Sequence, residues 1–133
     1  MPITPTVKLL VVDDEFLLQH LMCSALEDGG YSVVSAGSAS EAFEILEREG
    51  ADLVALVTDI NLGAGPKGWE VAVRARRKNR SVAVVYVTGD SADDWPVEGV
   101  PASVVIQKPF GVTEVVVAVA ALRANVRGGL PGA

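Results

Sequence analysis

Asp59 ends the apolar run Leu53-Val54-Ala55-Leu56-Val57, and Gly63, Gly65, Pro66 and Gly68 follow shortly after it. A short apolar run bounded by turn residues reads as a buried parallel strand. A carboxylate at the C-terminal end of such a strand opens onto the crevice where open α/β sheets bind ligands. Asp13 and Asp14 end an earlier run, Leu9-Leu10-Val11-Val12, and Lys108 follows a later one, Val104-Val105-Ile106. Three acids and one amine at one sheet edge make a site for a hard cation and a phosphoryl group. Carboxylates packed together repel, which raises the pKa of at least one of them, and a divalent cation removes that cost. No His or Cys clusters with them, so the oxygen ligands favour Mg2+ over zinc.

The elements that must deliver these residues alternate in type. Strands are expected at Lys8–Val12, Tyr31–Ser35, Leu53–Thr58, Val82–Val87 and Ser103–Ile106, and helices at Glu15–Asp28, Ser40–Glu49, Trp69–Lys78 and Val112–Val126. Gly29-Gly30 and Gly50 stop the first two helices, and Ser38 or Ser40 is the N-cap of the second. Leu17, Leu21, Ala25 and Leu26 are expected on the inward side of the first helix. Val71, Ala72 and Ala75 are expected inward on the third, with a basic solvent face at Arg74, Arg76, Arg77, Lys78 and Arg80. After the fourth strand, Asp90–Asp94 can open a helix, but Pro96 and Pro101 bracket Gly99 and leave room for a turn or two. The alternation predicts an α/β fold: a doubly wound five-stranded parallel sheet with helices on both faces and a short or irregular fourth helix.

The 133 residues suit a single domain spanning 1–133, with its core at about 8–126 and flexible ends at 1–6 and 128–133. Half the residues are hydrophobic but only 5% are aromatic, so the core must be aliphatic. A net charge of −6 argues against direct binding to nucleic acid. The one cysteine, Cys23, makes no internal disulfide and reads as a half-buried hydrophobe. His20 reads as a surface residue. The first residues lack the pattern of a signal peptide, and the apolar run Val115–Leu122 falls short of the roughly 20 residues a membrane span needs. A cytoplasmic protein with no membrane partner is expected.

Each of these residues has a plainer reading alone: Asp13 and Asp14 as loop or N-cap residues, Asp59 as a turn residue, Lys108 as a surface lysine, Thr88 as a strand end. Together and in order, Asp13-Asp14, Asp59, Thr88-Gly89 and Lys108-Pro109-Phe110 resemble the receiver domain of bacterial two-component response regulators, the CheY-like family. The resemblance covers about Lys8 to Val126. It implies that Asp59 accepts a phosphoryl group from a histidine kinase or phosphotransfer protein and loses it by hydrolysis, without being a turnover enzyme. It implies Mg2+ held directly by Asp14 and Asp59, by Asp13 largely through water, and by the backbone carbonyl of Asn61. Lys108, the Thr88 hydroxyl and the Gly89 N–H would take phosphoryl oxygens, Gly89 leaving the approach open, and the Lys108–Pro109 bond would be cis. The phosphodonor is expected to dock near Phe16 and Leu18. Glu15 either sits behind the metal ligands or favours the first turn of its helix.

The pattern departs from that family in places. Val105 stands where an aromatic residue usually precedes the lysine by three positions, and Gly63-Ala64-Gly65-Pro66 replaces a Met-Pro pair. The Asp90–Pro101 segment is therefore expected to report phosphorylation by changing order, and Asp90 to hinder or orient an attacking water. In the last helix Val112, Val115, Val116, Val119 and Leu122 would cover the sheet. Val117, Ala120, Ala121 and Ala124 form a second apolar side, expected to bind a partner or a second copy. No output domain follows Val126, so the signal is expected to leave by contact with a downstream protein. The rivals are a receiver cut from a hybrid histidine kinase, against which Met1 weighs, a pseudo-receiver that only binds protein, and an aspartyl-nucleophile phosphatase. The phosphatase would want an acid where Asn61 stands.

Overall fold

The computed structural model describes residues 7–127. The ends expected to be flexible, 1–6 and 128–133, lie outside these residues. Strands β1 (Lys8–Val12), β2 (Ser32–Ala36), β3 (Leu53–Asp59), β4 (Ala83–Thr88) and β5 (Ser103–Gln107) form one sheet in the order β2-β1-β3-β4-β5. All its neighbours are parallel. Helices α1 (Phe16–Asp28), α2 (Ala39–Glu49), α3 (Gly68–Lys78), α4 (Trp95–Glu98) and α5 (Val112–Arg127) connect or follow the strands. This is the expected doubly wound α/β fold.

Side chains alternate across each strand, so each face of the sheet carries its own core. Leu10, Val12, Leu56, Val84 and Tyr86 pack with Ala42 and Leu46 of α2 and Val71, Ala72 and Ala75 of α3. Leu9, Val11, Val57, Val85 and Val87 pack with Met22 and Leu26 of α1 and Val115 and Val119 of α5. The Ser38 hydroxyl accepts the Glu41 N–H and caps α2, as expected.

Three expectations need correction. The inward side of α1 is Met22 and Leu26, flanked by half-buried Leu18 and Cys23; Leu17 and Leu21 face solvent. Arg76 does not belong to the basic solvent face. Its guanidinium donates to the carbonyls of Val82, Pro101 and Ala102 at 2.8, 2.6 and 3.1 Å and ties α3 to the start of β5. The third and fourth strands also run one residue further than their apolar stretches. Asp59 pairs in register with Val87, and Thr88 with Gln107, so both polar residues are strand residues held by the ladder.

Between β4 and β5 lie a single 3₁₀ turn, Ala92–Asp94, and the four residues of α4, with Pro96 in its first turn. The brevity matches the proline argument. On α5, Val117 and Ala120, Ala121 and Ala124 are exposed, opposite the covered Val115 and Val119.

One glycine couples fold to site. The Gly68 N–H donates to the Ile60 carbonyl at 2.8 Å, and a Cβ at this position would lie 2.1 Å from the Asp59 carbonyl oxygen. The start of α3 therefore abuts the end of β3, and neither backbone can yield cheaply. Gly68→Ala is expected to lower the free energy of unfolding by about 3 kcal/mol. Urea denaturation of the two proteins measures it, and an unchanged midpoint would contradict the packing described.

Candidate functional site

The chain passes from β1 outward to β2 and then returns across β1 to β3, so β1 and β3 meet at the switch point of the sheet. Asp13 and Asp14 follow β1 and Asp59 ends β3. Carboxylate oxygens of all three lie within 4.8 Å of one another. Backbone hydrogen bonds fix each strand end. Asp13 N donates to Ala36 O at 3.1 Å, Ile60 N to Val87 O at 3.2 Å, and Lys108 N to Thr88 O at 2.7 Å.

Asp13 is 1% exposed. Its Oδ1 accepts the Glu15 N–H at 2.8 Å, while its buried Oδ2 has no partner. Burial pushes its pKa up to about 6 against the Glu15 N–H, which favours the charged form; the charge of Asp59 adds to the rise. Asp59 is raised for the same first reason, burial, opposed by Lys108 and by the Asn61 N–H donated to its Oδ1 at 3.1 Å. Only oxygen donors form the cup, and one buried oxygen is unpartnered. That donor set fits a hard divalent cation such as Mg2+.

Lys108 enters from the end of β5, through a cis bond to Pro109. Its Nζ donates to Asp59 Oδ2 at 3.1 Å and to Glu15 Oε1 at 2.7 Å. Burial alone would lower its pKa; the hydrogen bonds to Glu15 and Asp59 outweigh this and raise it. Glu15 sits at the start of α1 and behind the acids of the cup at once. It is the N-cap residue of α1, yet its side chain makes no capping bond and goes to Lys108 instead. Linear pattern offers no signal for a partner 93 positions away.

The cleft above the cup has a volume of about 490 Å3 and is lined by Asp14, Glu15, Asp59, Asn61, Gly89, Asp90 and Lys108. Thr88 is not among them. It is fully buried, and its hydroxyl accepts the N–H groups of Asp90 and Ser91 at 3.2 and 2.9 Å. A Cβ on Gly89 would meet nothing within 4 Å, so the space beside this glycine is open. The rim holds a polar chain absent from the sequence reading. Lys67 Nζ donates to Asn61 Oδ1 at 2.7 Å, and Asn61 Nδ2 to Asp90 Oδ1 at 2.7 Å and Ser91 Oγ at 3.1 Å. Gly63 and Gly65 hold φ of +80° and +101° and turn the loop that carries Lys67. His20 is exposed, and burial raises the thiol pKa of half-buried Cys23. Among the described residues, no helix is long and apolar enough to cross a membrane.

The orphaned acid has a measurable consequence in cation-free protein. An acid whose folded pKa is about 6, against 3.8 in the unfolded chain, binds more protons when folded. Its contribution to stability therefore falls as pH rises from about 4 to about 6 and stays low above that. Asp13→Asn removes the effect. In chelator the variant is expected to be more stable than the parent by about 2 kcal/mol at pH 7, with the gap closing near pH 4. Paired urea titrations at the two pH values test this; equal stability at pH 7 would refute it.

Residues 9–120 match the response regulator receiver domain family. The chain is 36% identical to the response regulator receiver protein from Sinorhizobium medicae, whose crystal structure matches with a TM-score of 0.84 over 89% of this chain and 94% of that one. It is 38% identical over 98 residues to the alginate biosynthesis transcriptional regulatory protein AlgB of Pseudomonas aeruginosa, covering 74% of this chain and 21% of AlgB. It is 32% identical over 118 residues to the probable transcriptional regulatory protein TcrX of Mycobacterium tuberculosis, covering 87% of this chain and 49% of TcrX. The chain thus spans from about a fifth to about half of these curated relatives. Because the matched stretch runs from the first strand into the last helix and contains every residue of the acidic cup, the chain belongs to the response regulator receiver domain family.

Proposed function

We propose that Asp59 is a phosphoacceptor, with residues 8–126 acting as one receiver unit. A carboxylate oxygen of Asp59 forms a bond to phosphorus while the phosphorus–nitrogen bond to a donor histidine breaks, its electron pair staying on the imidazole. Hydrolysis later forms a bond from water oxygen to phosphorus, breaks the acyl-phosphate bond and restores the carboxylate. The observation that carries this reading is the Lys108 ammonium, 3.1 Å from Asp59 Oδ2 in a cup whose other members are all acids. Such a charge is placed to neutralise a phosphoryl oxygen as the transition state spreads charge outward. Asp13, Asp14, Asp59 and the Asn61 backbone carbonyl would hold Mg2+, which supplies further neutralisation when bound.

Gly89 lines the cleft, and its N–H would be the other donor for a phosphoryl oxygen. The Thr88 hydroxyl accepts the amides of Asp90 and Ser91 and keeps its O–H to donate, so a move toward that oxygen would draw it away from those two amides. That exchange is the means by which the Asp90–Pro101 segment senses phosphorylation. Asp90, tied to Asn61 across the rim, stands where it can order or obstruct an attacking water. The amide of Asn61 cannot protonate a leaving group as an acid at that position would, which favours a signalling phosphoacceptor over a turnover phosphatase.

The phosphodonor is a histidine kinase or phosphotransfer protein that docks beside α1 of this cytoplasmic chain. Phe16 is 79% exposed next to the cup and suits that contact, with half-buried Leu18 beside it. Output passes by protein contact to a downstream target, and the exposed apolar side of α5 at Val117 suits a partner or a second copy.

Incubation with acetyl phosphate and Mg2+, followed by intact-mass measurement, is expected to add one phosphoryl group to the wild type. Asp59→Asn and chelator-treated samples should stay unmodified. Equal uptake by Asp59→Asn would overturn the assignment. A beryllofluoride-loaded sample is further expected to lose hydrogen-exchange protection at the Asp90 and Ser91 amides. Identical protection with and without the mimic would refute the Thr88 exchange.

A further inference from the structure

The amine that the phosphoryl group needs is not wholly given to the phosphoacceptor. Lys108 has three N–H donors. One goes to Asp59 at 3.1 Å, and another, at the shorter distance of 2.7 Å, goes to Glu15. Asp59 is buried, whereas the Glu15 side chain is 62% exposed at the outer edge of the cleft. The cleft is already crowded with negative charge from Asp13, Asp14, Asp59 and Asp90. An anionic phosphoryl group that draws Lys108 onto its own oxygen meets the pull of Glu15 on the same ammonium.

We propose that Glu15 is a positioning residue that parks the Lys108 ammonium at the rim of the cleft in the unphosphorylated protein and thereby slows phosphoryl acceptance. The inference rests on the phosphoacceptor reading above. Its rival is a plain structural role, in which the Glu15 charge only favours the positive end of α1. The Glu15 carboxylate is turned to Lys108 at 2.7 Å and not to the amides of its own helix, which favours the parking role. Because the carboxylate is largely exposed, the contact is weak, and its removal should change a rate several-fold rather than by orders of magnitude.

Glu15→Gln keeps size and hydrogen-bonding capacity and removes the charge. At low ionic strength, phosphorylation by acetyl phosphate with Mg2+ is expected to run about threefold faster than in the wild type. The advantage should shrink as added salt screens the pair. Glu44→Gln, an exposed acid on α2, is the control and should leave the rate unchanged. A second measurement does not depend on phosphoryl transfer. Labelling of Lys108 by an amine-reactive ester, read by peptide mass, should be faster in Glu15→Gln because the amine is less occupied.

An equal or slower phosphorylation rate in Glu15→Gln, or unchanged Lys108 labelling, overturns the proposal. A shift in thermal stability with neither rate affected assigns Glu15 to the helix end and overturns it too. Faster labelling with no phosphoryl uptake by either protein supports the parked amine and removes the phosphoacceptor reading instead.

Discussion

One ammonium among crowded carboxylates is the constraint around which this molecule is arranged. Asp13 and Asp59 are nearly inaccessible to water, and among the described residues the Lys108 amine is the only cation that bonds directly to a carboxylate of the cup. Buried charges left without a partner cost several kcal/mol, so the geometry that brings Lys108 to Asp59 must be held firmly. The backbone holds it. Asp13, Ile60 and Lys108 each donate an N–H to the neighbouring strand at its C-terminal edge. The strand ladder thus extends into the functional residues themselves, and their side chains inherit its precision.

A second arrangement hangs from the same edge. The segment from Asp90 to Pro101 is fastened at both ends and, through Trp95, near its middle. At its start Thr88 accepts two of its amides. At its end the Val100 N–H donates to the Tyr86 hydroxyl at 3.1 Å, the Trp95 indole donates to Ser103 at 3.0 Å, and Arg76 holds the carbonyls of Pro101 and Ala102. Tyr86 is itself fully buried and sits edge-on to Trp69 at 4.7 Å. The far anchor is therefore part of the core, whereas the near anchor is one hydroxyl beside Asp59. A rearrangement started at Thr88, as proposed above, would fall on the short stretch that includes exposed Val97. In this chain Val105 supplies no ring to move, and the aromatic weight lies instead with Trp95, which packs against the same core cluster as Val105.

How much of this was legible in the sequence follows from the range of the forces involved. Apolar runs located all five strands, because burial on both faces leaves an unbroken hydrophobic signature. Glycines and the Ser38 cap placed helix ends by local chemistry. The acids of the cup were legible because each ends a strand, and parallel topology sends such ends to one edge. Strand limits fell one residue short at Asp59 and Thr88, since polarity conceals a ladder position that serves a site. The inward face of α1 was misjudged because apolar residues nearly encircle it; only tertiary packing selects Met22 and Leu26 over Leu17 and Leu21. Arg76, Glu15 and Lys67 escaped because long flexible side chains choose partners in space, and charge alone does not name the partner.

The strain of the cup and its usefulness have one origin. Burial lifts Asp13 and Asp59 toward protonation, so the unloaded fold carries a cost that an aliphatic edge would not. That cost is relieved when positive charge enters, and whatever relieves it in the folded state alone stabilises that state by mass action. A cation drawn in by the acids and, on the proposed reading, a phosphoryl group would be linked to the amine shared between Glu15 and Asp59 through one local charge balance. Each would change the affinity for the others without any long-range pathway, because these residues meet at the ends of β1, β3 and β5. Sites that break the rules of comfortable burial are where function is expected to reside. Here the violation is concentrated at the edge where the sheet's winding reverses, while the rest of the sheet stays conventionally apolar and supplies the rigidity the acids consume.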